Sequence, residues 1–279
     1  MRAGVKKLIQ RTARAFGIEI RRIQPVAAGE PGSERPSLEG SLTQAREAGL
    51  DPKTVIDVGA AVGSFTRTCR GVFPDARYLL VEPLEEYLPS LDKVVKDIPG
   101  ATYELAAATD HRDGVMVNIH PDLVGSSLYR ETEEGSEVNG IPRKVPSVTV
   151  DALVRERHAE PPYVLKIDVQ GAELDVLAGA ERVLQRTDLV LLEVSLFQFF
   201  ERGPVFCDIV EFMKTRGFVP YDILNLQYRP LDHALSQVDI SFVKENGAFR
   251  RHHYYATPDQ RHDQNVRFRS HLIRLLSVE

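Results

Sequence analysis

From Pro52 onward, short runs of apolar residues alternate with longer segments that repeat apolar residues at helical spacing. The short runs predict seven strands, at 54–58, 77–82, 102–107, 163–168, 188–194, 217–221 and 238–243. Helices are predicted between them, at 63–71, 84–97, 149–158, 172–186 and 204–216. Strands that alternate with helices form a mostly parallel sheet with helices on both faces. The pattern therefore predicts an α/β fold of the Rossmann-like type.

Residues 1–50 do not follow this pattern and are predicted to form an N-terminal helical extension. Residues 1–23 carry seven basic side chains against one acid, with apolar residues near one helical face. Such a basic amphipathic helix either packs on the main domain or a partner subunit, or lies on an anionic membrane surface. Packing is the commoner use of such a stripe. A Pro- and Gly-rich linker at 25–40 and a short helix at 38–50 follow.

The main domain is expected to span residues 51–245. An insertion at about 110–147 separates the third and fourth main strands, and its apolar alternation and polar turn predict a hairpin at the rim of the sheet. Residues 246–279 form a polar, basic tail with a helix expected near 264–277.

Composition narrows the class of protein. The net charge of −5 argues against broad nucleic-acid binding, and no run of about 18 apolar residues predicts a spanning helix. The N-terminus lacks the uninterrupted apolar stretch of a secretory signal. Two distant cysteines, Cys69 and Cys207, are too few for a disulfide framework and are expected to be core residues, so a cytoplasmic location and no structural metal are expected.

The segment TVIDVGAAVGSF at 54–65 carries the first candidate chemistry, because a buried strand ends in Asp57 and passes through a glycine turn into a helix. Gly59 and Gly63 fit a sharp turn and a close approach to a ligand. The dinucleotide fingerprint GxGxxG fails at Ala61 and Ser64. An acid before the turn suits a cationic head group better than a phosphate. These charges favour S-adenosylmethionine over NAD as the cofactor.

A second acid marks the tip of the next strand. Glu82 lies 19 residues after Gly63 and is followed by Pro83, which begins the next helix. A carboxylate at this position can accept hydrogen bonds from both ribose hydroxyls of a nucleoside. The two markers together, at this separation, indicate a nucleoside cofactor at the carboxyl edge of the sheet.

The chain resembles the FkbM family of methyltransferases over about residues 38–245. The resemblance rests on the glycine turn and on five further segments, which are VEP at 81–83, GSSL at 125–128, VPSVTVDAL at 145–153, VLKIDVQGAELDVLAGA at 164–180 and LLEVS at 191–195. It implies a class I methyltransferase fold and a cytosolic enzyme that transfers a methyl group from S-adenosylmethionine to a hydroxyl. The family's acceptors are typically sugars of glycolipids or polysaccharides, or macrolide-like natural products.

The resemblance also assigns cofactor contacts. It implies that the glycine turn surrounds the methionine portion of the cofactor, that Glu82 binds the ribose, and that the end of the third strand flanks the adenine. The cofactor-binding residues expected on this basis are Asp57, Gly59, Ala60, Gly63, Glu82, Ala107 and Asp110.

Methyl transfer to oxygen is helped by a group that takes up or orients the hydroxyl proton. Asp168 ends the fourth strand at the same edge as Asp57 and Glu82 and is the candidate catalytic residue. Lys166 lies two positions before it on the same side of the strand and can hold it ionised as an ion pair. Alternatively, Asp168 only caps the following helix.

Other polar residues are candidates for the acceptor site. Glu193 ends the fifth strand, and the insertion contributes His120, Ser126 and Ser127. For a single histidine a structural role is also open. Asp168 and Glu193 could share a magnesium ion, but no carboxylate cluster singles out a metal site, so no metal is expected.

Two other classes of function stay open at this point. A nucleotide-dependent oxidoreductase can have the same fold, although Ala61 and Ser64 disfavour it. A binding protein without activity can also retain such a site. The expected partner is a small-molecule or glycan acceptor with a free hydroxyl, and no nucleic acid is expected. Formation of a homo-oligomer and peripheral membrane contact through residues 1–23 are further expectations.

Overall fold

The structure is a computed structural model that describes residues 37–276. A seven-stranded sheet forms its centre. Its strands are β1 (Thr54–Val58), β2 (Arg77–Glu82), β3 (Ala101–Leu105), β8 (Tyr163–Ile167), β9 (Thr187–Ser195), β10 (Phe218–Tyr228) and β11 (Leu235–Lys244). Their spatial order is β10-β11-β9-β8-β1-β2-β3, and β11 is the one strand of this sheet that runs opposite to the other six. The predicted Rossmann-like, mostly parallel sheet is confirmed.

Helices cover both faces of this sheet. They are α1 (Leu38–Glu47), α2 (Ser64–Val72), α3 (Leu88–Asp97), α5 (Val150–Glu156), α6 (Glu173–Ala178), α7 (Glu181–Gln185) and α8 (Phe206–Thr215). Successive residues of β1 show how the two layers are built. Val55 packs with α1, α2 and α3, whereas Ile56 faces the opposite way and packs with α5 to α8. Because side chains alternate along a strand, a strand that is buried on both faces contributes to the apolar core on each side of the sheet.

The helix α1 belongs to the same core as the sheet. Its side chains Leu42 and Ala45 are buried in the cluster that contains Val55. The Ser41 hydroxyl donates a hydrogen bond to the carboxylate of Asp222 on β10. The prediction grouped this segment with the N-terminal extension, whereas its buried face makes it part of the folded body.

Several boundaries differ from the prediction for local physical reasons. The predicted helix 172–186 is two short helices, because the chain breaks at Gly179, where a Cβ would lie 2.1 Å from the Thr109 carbonyl oxygen. The strand predicted at 102–107 ends at Leu105. The chain then leaves the main sheet, and β4 (Ala107–Ala108) pairs with β7 (Ser147–Val148) instead.

The insertion forms an antiparallel pair, β5 (Val115–Ile119) with β6 (Ile141–Val145), as its alternation indicates. A long loop joins these strands and contains the short helix α4 (Ser136–Asn139). Val117 and Val145 pack with Leu84 and Ala107, which lie beyond the ends of β2 and β3. The insertion therefore lies against the carboxyl edge of the main sheet.

The last helix, α9 (Pro258–Leu276), begins six residues earlier than predicted, and Phe268 and Leu272 on it are exposed. Cys69 is buried as predicted, whereas Cys207 is exposed and the prediction of a core position was wrong there. Within residues 37–276, no helix combines the length and apolar character that a membrane span requires. The predicted basic helix at 1–23 and most of the linker lie outside the described residues.

Candidate active site

The candidate site lies where the direction of strand succession reverses. The chain proceeds from β1 outward to β2 and β3, and β8 returns to the other side of β1. Open α/β sheets bind ligands beyond the carboxyl ends of the strands at such a switch point. Gly59 follows β1 here, with a φ of +74°, and a Cβ on it would lie 1.8 Å from the carbonyl oxygen of Asp168. The glycine is required by the close contact between the two strand ends as well as by the turn.

Glu82 stands beside this turn, as the sequence predicts. Its carboxylate accepts hydrogen bonds from the backbone N–H groups of Ala61, at 2.8 Å, and Leu84, at 3.0 Å. The side chain is buried, and burial raises its pKa to about 7 despite these two donors. Ala61 adopts a φ of +46°, which directs its N–H toward the carboxylate. Glu82 thus orders the glycine turn while its remaining lone pairs stay available to a ligand.

A cavity extends from Gly59 and Glu82 toward Asp168 and Gln170. It is concave and largely apolar with a few polar groups, as small-molecule and cofactor sites are. One wall comes from the main sheet and the other from the insertion, and Tyr87 and Ala107 also line it. The wall, which lies wholly in the described part of the chain, contains no lysine or arginine. A phosphate group would find no cation there, so the wall fits a nucleoside without phosphates.

The insertion closes the cavity. Val117, Leu123 and Leu128 present apolar side chains to it, and Ser126 and Ser127 lie on the same wall. The prediction assigned the two serines to the acceptor site. The structure places them on the cavity that Gly59 and Glu82 line, because the loop folds back onto the sheet edge.

Two hydrogen bonds hold the loop of the insertion in this position. The hydroxyl of Ser127 donates to the carbonyl oxygen of Gln170 at 2.5 Å. The Tyr129 hydroxyl donates to the carboxylate of Asp175 on α6, and burial together with this acceptor raises the pKa of Tyr129 to about 12. The tyrosine therefore keeps its proton at neutral pH and remains a donor.

Asp57 does not line the cavity. Its side chain is fully buried beneath the turn, where it accepts a hydrogen bond from Thr66 at 2.7 Å and lies 3.8 Å from the Lys166 ammonium. Burial raises its pKa, and the charge of Lys166 opposes that rise. The sequence argument assigned Asp57 to a cationic ligand group. In the structure Lys166 already compensates its charge, and the acid that lines the cavity at this end is Asp168.

Three other predicted cofactor residues also lie off the cavity wall. A Cβ at Gly63 would lie 2.5 Å from Cγ2 of Val94, so this glycine serves the packing of α2 on α3. Ala60 is buried behind the turn, and its neighbour Ala61 lines the cavity. Asp110 is exposed and lies 2.6 Å from Nδ1 of His111.

His120 has a structural position in the insertion. Its Nδ1 lies 2.6 Å from the carboxylate of Asp122, and Gly125 packs closely on its ring. It does not line the cavity. The structural role of this histidine, left open by the sequence, is the one its contacts indicate.

The predicted ion pair between Lys166 and Asp168 is confirmed, with 3.0 Å between Nζ and Oδ2. Although burial opposes it, the carboxylates of Asp168 and Asp57 hold the pKa of Lys166 above its usual value. Beyond Asp168, the amide nitrogen of Gln170 donates to Oδ1 of Asp168 at 3.1 Å and to Glu193 at 2.6 Å. The two predicted acids are therefore joined through one side chain.

The sequence did not single out several residues of this polar group. Gln227 on β10 and Gln237 on β11 donate to Glu193 at 3.0 and 3.1 Å, and Asp239 lies opposite Glu193 in the β9–β11 register. One signal was visible, namely polar residues at alternate positions of a strand that was otherwise apolar. Gln227, Gln237 and Asp239 reach the site because β11 pairs between β9 and β10. Local sequence patterns do not predict this order of strands.

A comparison with protein families gives the class of this fold and site. Residues 57–220, more than half of the chain, match the methyltransferase FkbM domain. The chain belongs to this family, and its cofactor is therefore S-adenosylmethionine. The cavity described above fits that molecule, since it pairs a buried carboxylate, Glu82, with a wall that has no lysine or arginine.

The individual proteins that resemble this chain have low sequence identity to it. The hexuronic acid methyltransferase AglP of Haloferax volcanii is 25% identical over 138 residues, which are 50% of this chain and 54% of that protein. The chain thus spans about half the length of this relative. Methyltransferase FkbM from Methylobacillus flagellatus matches 67% of this chain and 43% of its own at a TM-score of 0.44 and 16% identity. Fibrillarin from Aeropyrum pernix, with bound S-adenosylmethionine, has a TM-score of 0.41 at 16% identity and covers 73% and 74%. The family assignment rests on the family match.

Proposed function

We propose that this protein transfers a methyl group from S-adenosylmethionine to a hydroxyl oxygen of a sugar, in a glycolipid, a polysaccharide or a related natural product. The observation that carries the proposal is the cavity at the switch point. It combines a buried carboxylate, Glu82, with a wall free of lysine and arginine, and it ends at Asp168 and Gln170. The family match and the absence of lysine and arginine from this wall both favour a methyltransferase over a nucleotide-dependent oxidoreductase.

Each part of the cavity has a role in this proposal. Glu82 would accept hydrogen bonds from the ribose hydroxyls, and Tyr87, Val117 and Leu128 would pack against the adenine. Asp168 would face the positively charged end of the cofactor. The cofactor supplies a methyl group on a positively charged sulfur, which makes the methyl carbon electrophilic. The protein contributes alignment and exclusion of water, because both favour attack by a hydroxyl oxygen.

The polar group next to the cavity supports a sugar as the acceptor. Glu193, Gln170, Gln227 and Gln237 offer carboxylate and amide groups side by side, and such groups can both accept and donate hydrogen bonds to a polyol. The relative from Haloferax volcanii is named for a hexuronic acid, which is also a sugar. A hexuronic acid presents a carboxylate as well as hydroxyls, so the oxygen that receives the methyl group needs a direct test.

The test uses glycan and glycolipid extracts from a strain that lacks the gene, because these hold the acceptor without its methyl group. The full chain is incubated with radiolabelled S-adenosylmethionine and either this extract or the extract of the parent strain. We expect label to enter mainly the extract of the deletion strain and to resist mild alkali, since a methyl ether survives conditions that hydrolyse a methyl ester. Label that alkali removes would exclude the hydroxyl acceptor. No transfer to either extract would favour a binding protein without activity.

A further inference from the structure

Three acids lie in a row across neighbouring strands at the carboxyl edge of the sheet. Asp168 follows β8, Glu193 is on β9 and Asp239 is on β11. Asp239 lies directly opposite Glu193, and the pairing of Ile167 with Leu192 places Asp168 beside Glu193. Within residues 37–276, no three acidic, histidine or cysteine side chains are grouped so that they could hold a metal ion.

Asp168 has a hydrogen-bond partner on each of its carboxylate oxygens. The ammonium of Lys166 lies 3.0 Å from its Oδ2, and the amide of Gln170 donates to its Oδ1. These two partners fix the position of the carboxylate, and its remaining lone pairs can accept a hydrogen bond, which suits it to orient a hydroxyl.

The partners of the Glu193 carboxylate differ from those of Asp168. Its carboxylate accepts hydrogen bonds from three neutral amides, those of Gln170 at 2.6 Å, Gln227 at 3.0 Å and Gln237 at 3.1 Å. In the part of the chain that the structure describes, no lysine or arginine forms an ion pair with it. Burial and the negative charge of Asp168 raise the pKa of Glu193 to about 8, and Asp239 adds to the same effect. Glu193 is fixed in position and more basic than an ordinary glutamate.

Gln170 connects this acid to the cofactor cavity. It lines the cavity and donates to both Asp168 and Glu193 from one nitrogen atom. Its backbone has a φ of +54°, a left-handed conformation that residues other than glycine rarely adopt. Glu193 itself is half-buried and does not line the cavity, and Gln170 is the residue that links its carboxylate to the cavity wall.

We propose that Glu193 is the group that takes up the proton of the acceptor hydroxyl, while Asp168 orients that hydroxyl. The inference rests on the proposed function. The new bond forms between the acceptor oxygen and the methyl carbon, and the carbon–sulfur bond breaks with its electron pair staying on sulfur. The hydroxyl proton passes to the Glu193 carboxylate, so charge and atoms balance. The sequence prediction gave Asp168 both roles as alternatives, base or substrate-orienting group, and the proposal assigns the first of them to Glu193.

The test compares Glu193→Gln with the wild type in methyl transfer to the deletion-strain extract, between pH 6 and pH 9. Glutamine keeps the shape of the side chain but cannot take up the proton, so we expect the transfer rate to fall by a factor of about 10² to 10⁴. Affinity for S-adenosylhomocysteine should stay within about twofold. Glu201→Gln, at an exposed glutamate beyond β9, serves as the matched control.

Two readouts separate a base from a structural residue. In the wild type the rate should rise with pH and level off above about 8, as Glu193 becomes ionised. Asp239→Asn removes a negative charge that faces Glu193, so this rise should move to lower pH. Infrared difference spectra of the protein alone should show a protonated carboxyl that disappears over the same pH range and is absent in Glu193→Gln.

The outcomes are distinct. If the wild type transfers methyl groups and Glu193→Gln does so at the same rate, the proposal for Glu193 is overturned while the proposed function stands. A Glu193 that titrates below pH 6 in the infrared spectra, or a rate profile unmoved by Asp239→Asn, would also overturn it. A wild type without any transfer would remove the proposed function and this proposal together.

Discussion

Replacing Gly59 by alanine is expected to abolish useful cofactor binding and to destabilise the fold. The new Cβ would lie 1.8 Å from the Asp168 carbonyl oxygen, and the position has a φ of +74°. The ends of β1 and β8 must separate to relieve the overlap. We expect the free energy of unfolding to fall by about 2–4 kcal/mol. Moving this turn also removes cofactor contacts, and a loss of about 2.7 kcal/mol of binding free energy would lower the affinity by about 10²-fold.

Gly71→Ala is the matched control. Gly71 lies near the C-terminal end of α2, the helix that follows the same turn, and a Cβ on it would meet nothing within 4 Å. Alanine in a helix interior is more favourable than glycine by about 0.5–1 kcal/mol, so this variant should bind normally and unfold no more easily than the wild type. Urea unfolding followed by circular dichroism and equilibrium dialysis with labelled S-adenosylmethionine measure both effects. Wild-type affinity in Gly59→Ala would show that the cofactor lies elsewhere.

Glu82→Ala is expected to weaken binding of S-adenosylhomocysteine by about 100-fold. The variant loses two hydrogen bonds from the ribose hydroxyls to a carboxylate, each contributing about 1.5 kcal/mol, and it also loses the acceptor that orders Ala61. Glu86→Ala is the control, because Glu86 lies close by in the sequence and pairs with Arg143 on the surface. Titration calorimetry checks both variants. Equal affinities would remove Glu82 from the cofactor site.

The same carboxylate predicts how binding depends on pH. The ribose hydroxyls are donors and therefore require the ionised form of Glu82, whose pKa burial raises to about 7. The ionised fraction of the free protein rises about tenfold from pH 6 to pH 8. The affinity of the wild type should rise by about the same factor, and binding at pH 7 should release protons. The affinity of Glu82→Ala should lack this rise.

The sequence predicted the central part of the fold well because its strands are buried on both faces. The bounds of β1 and β2 agree with the prediction, since each strand has an apolar, buried centre between clear turn signals. The strands β10 and β11 are longer than predicted. The second half of β10, from Asp222 to Tyr228, is largely exposed, mixes polar with apolar residues and has shifts in register, so it lacks the clear apolar pattern on which strand prediction depends.

The candidate site was predictable where the residues lie next to the turns that carry them. Gly59, Glu82 and Asp168 line the cavity as expected. The sequence could not show that Asp57 faces Lys166 or that the insertion supplies the second wall of the cavity. Both features depend on which elements pack against each other over long sequence distances.

The acceptor side of the site was harder to predict than the cofactor side, because it depends more on pairing between strands that are distant in sequence. Glu193 was recognised at the end of its strand, but the amides that hold it come from β10 and β11. Only the order of strands in the sheet makes these residues neighbours. This is also why the sequence favoured Asp168 over Glu193 as the catalytic candidate, since it did not reveal the surroundings of Glu193.

A crystal structure of the protein with S-adenosylhomocysteine tests the central claim most directly. The account predicts that both ribose hydroxyls lie within hydrogen-bonding distance of the Glu82 carboxylate and that the sulfur lies near Gly59 and Asp168. The adenine should lie against the insertion. A ligand bound outside this cavity, or one whose ribose does not contact Glu82, would contradict the account.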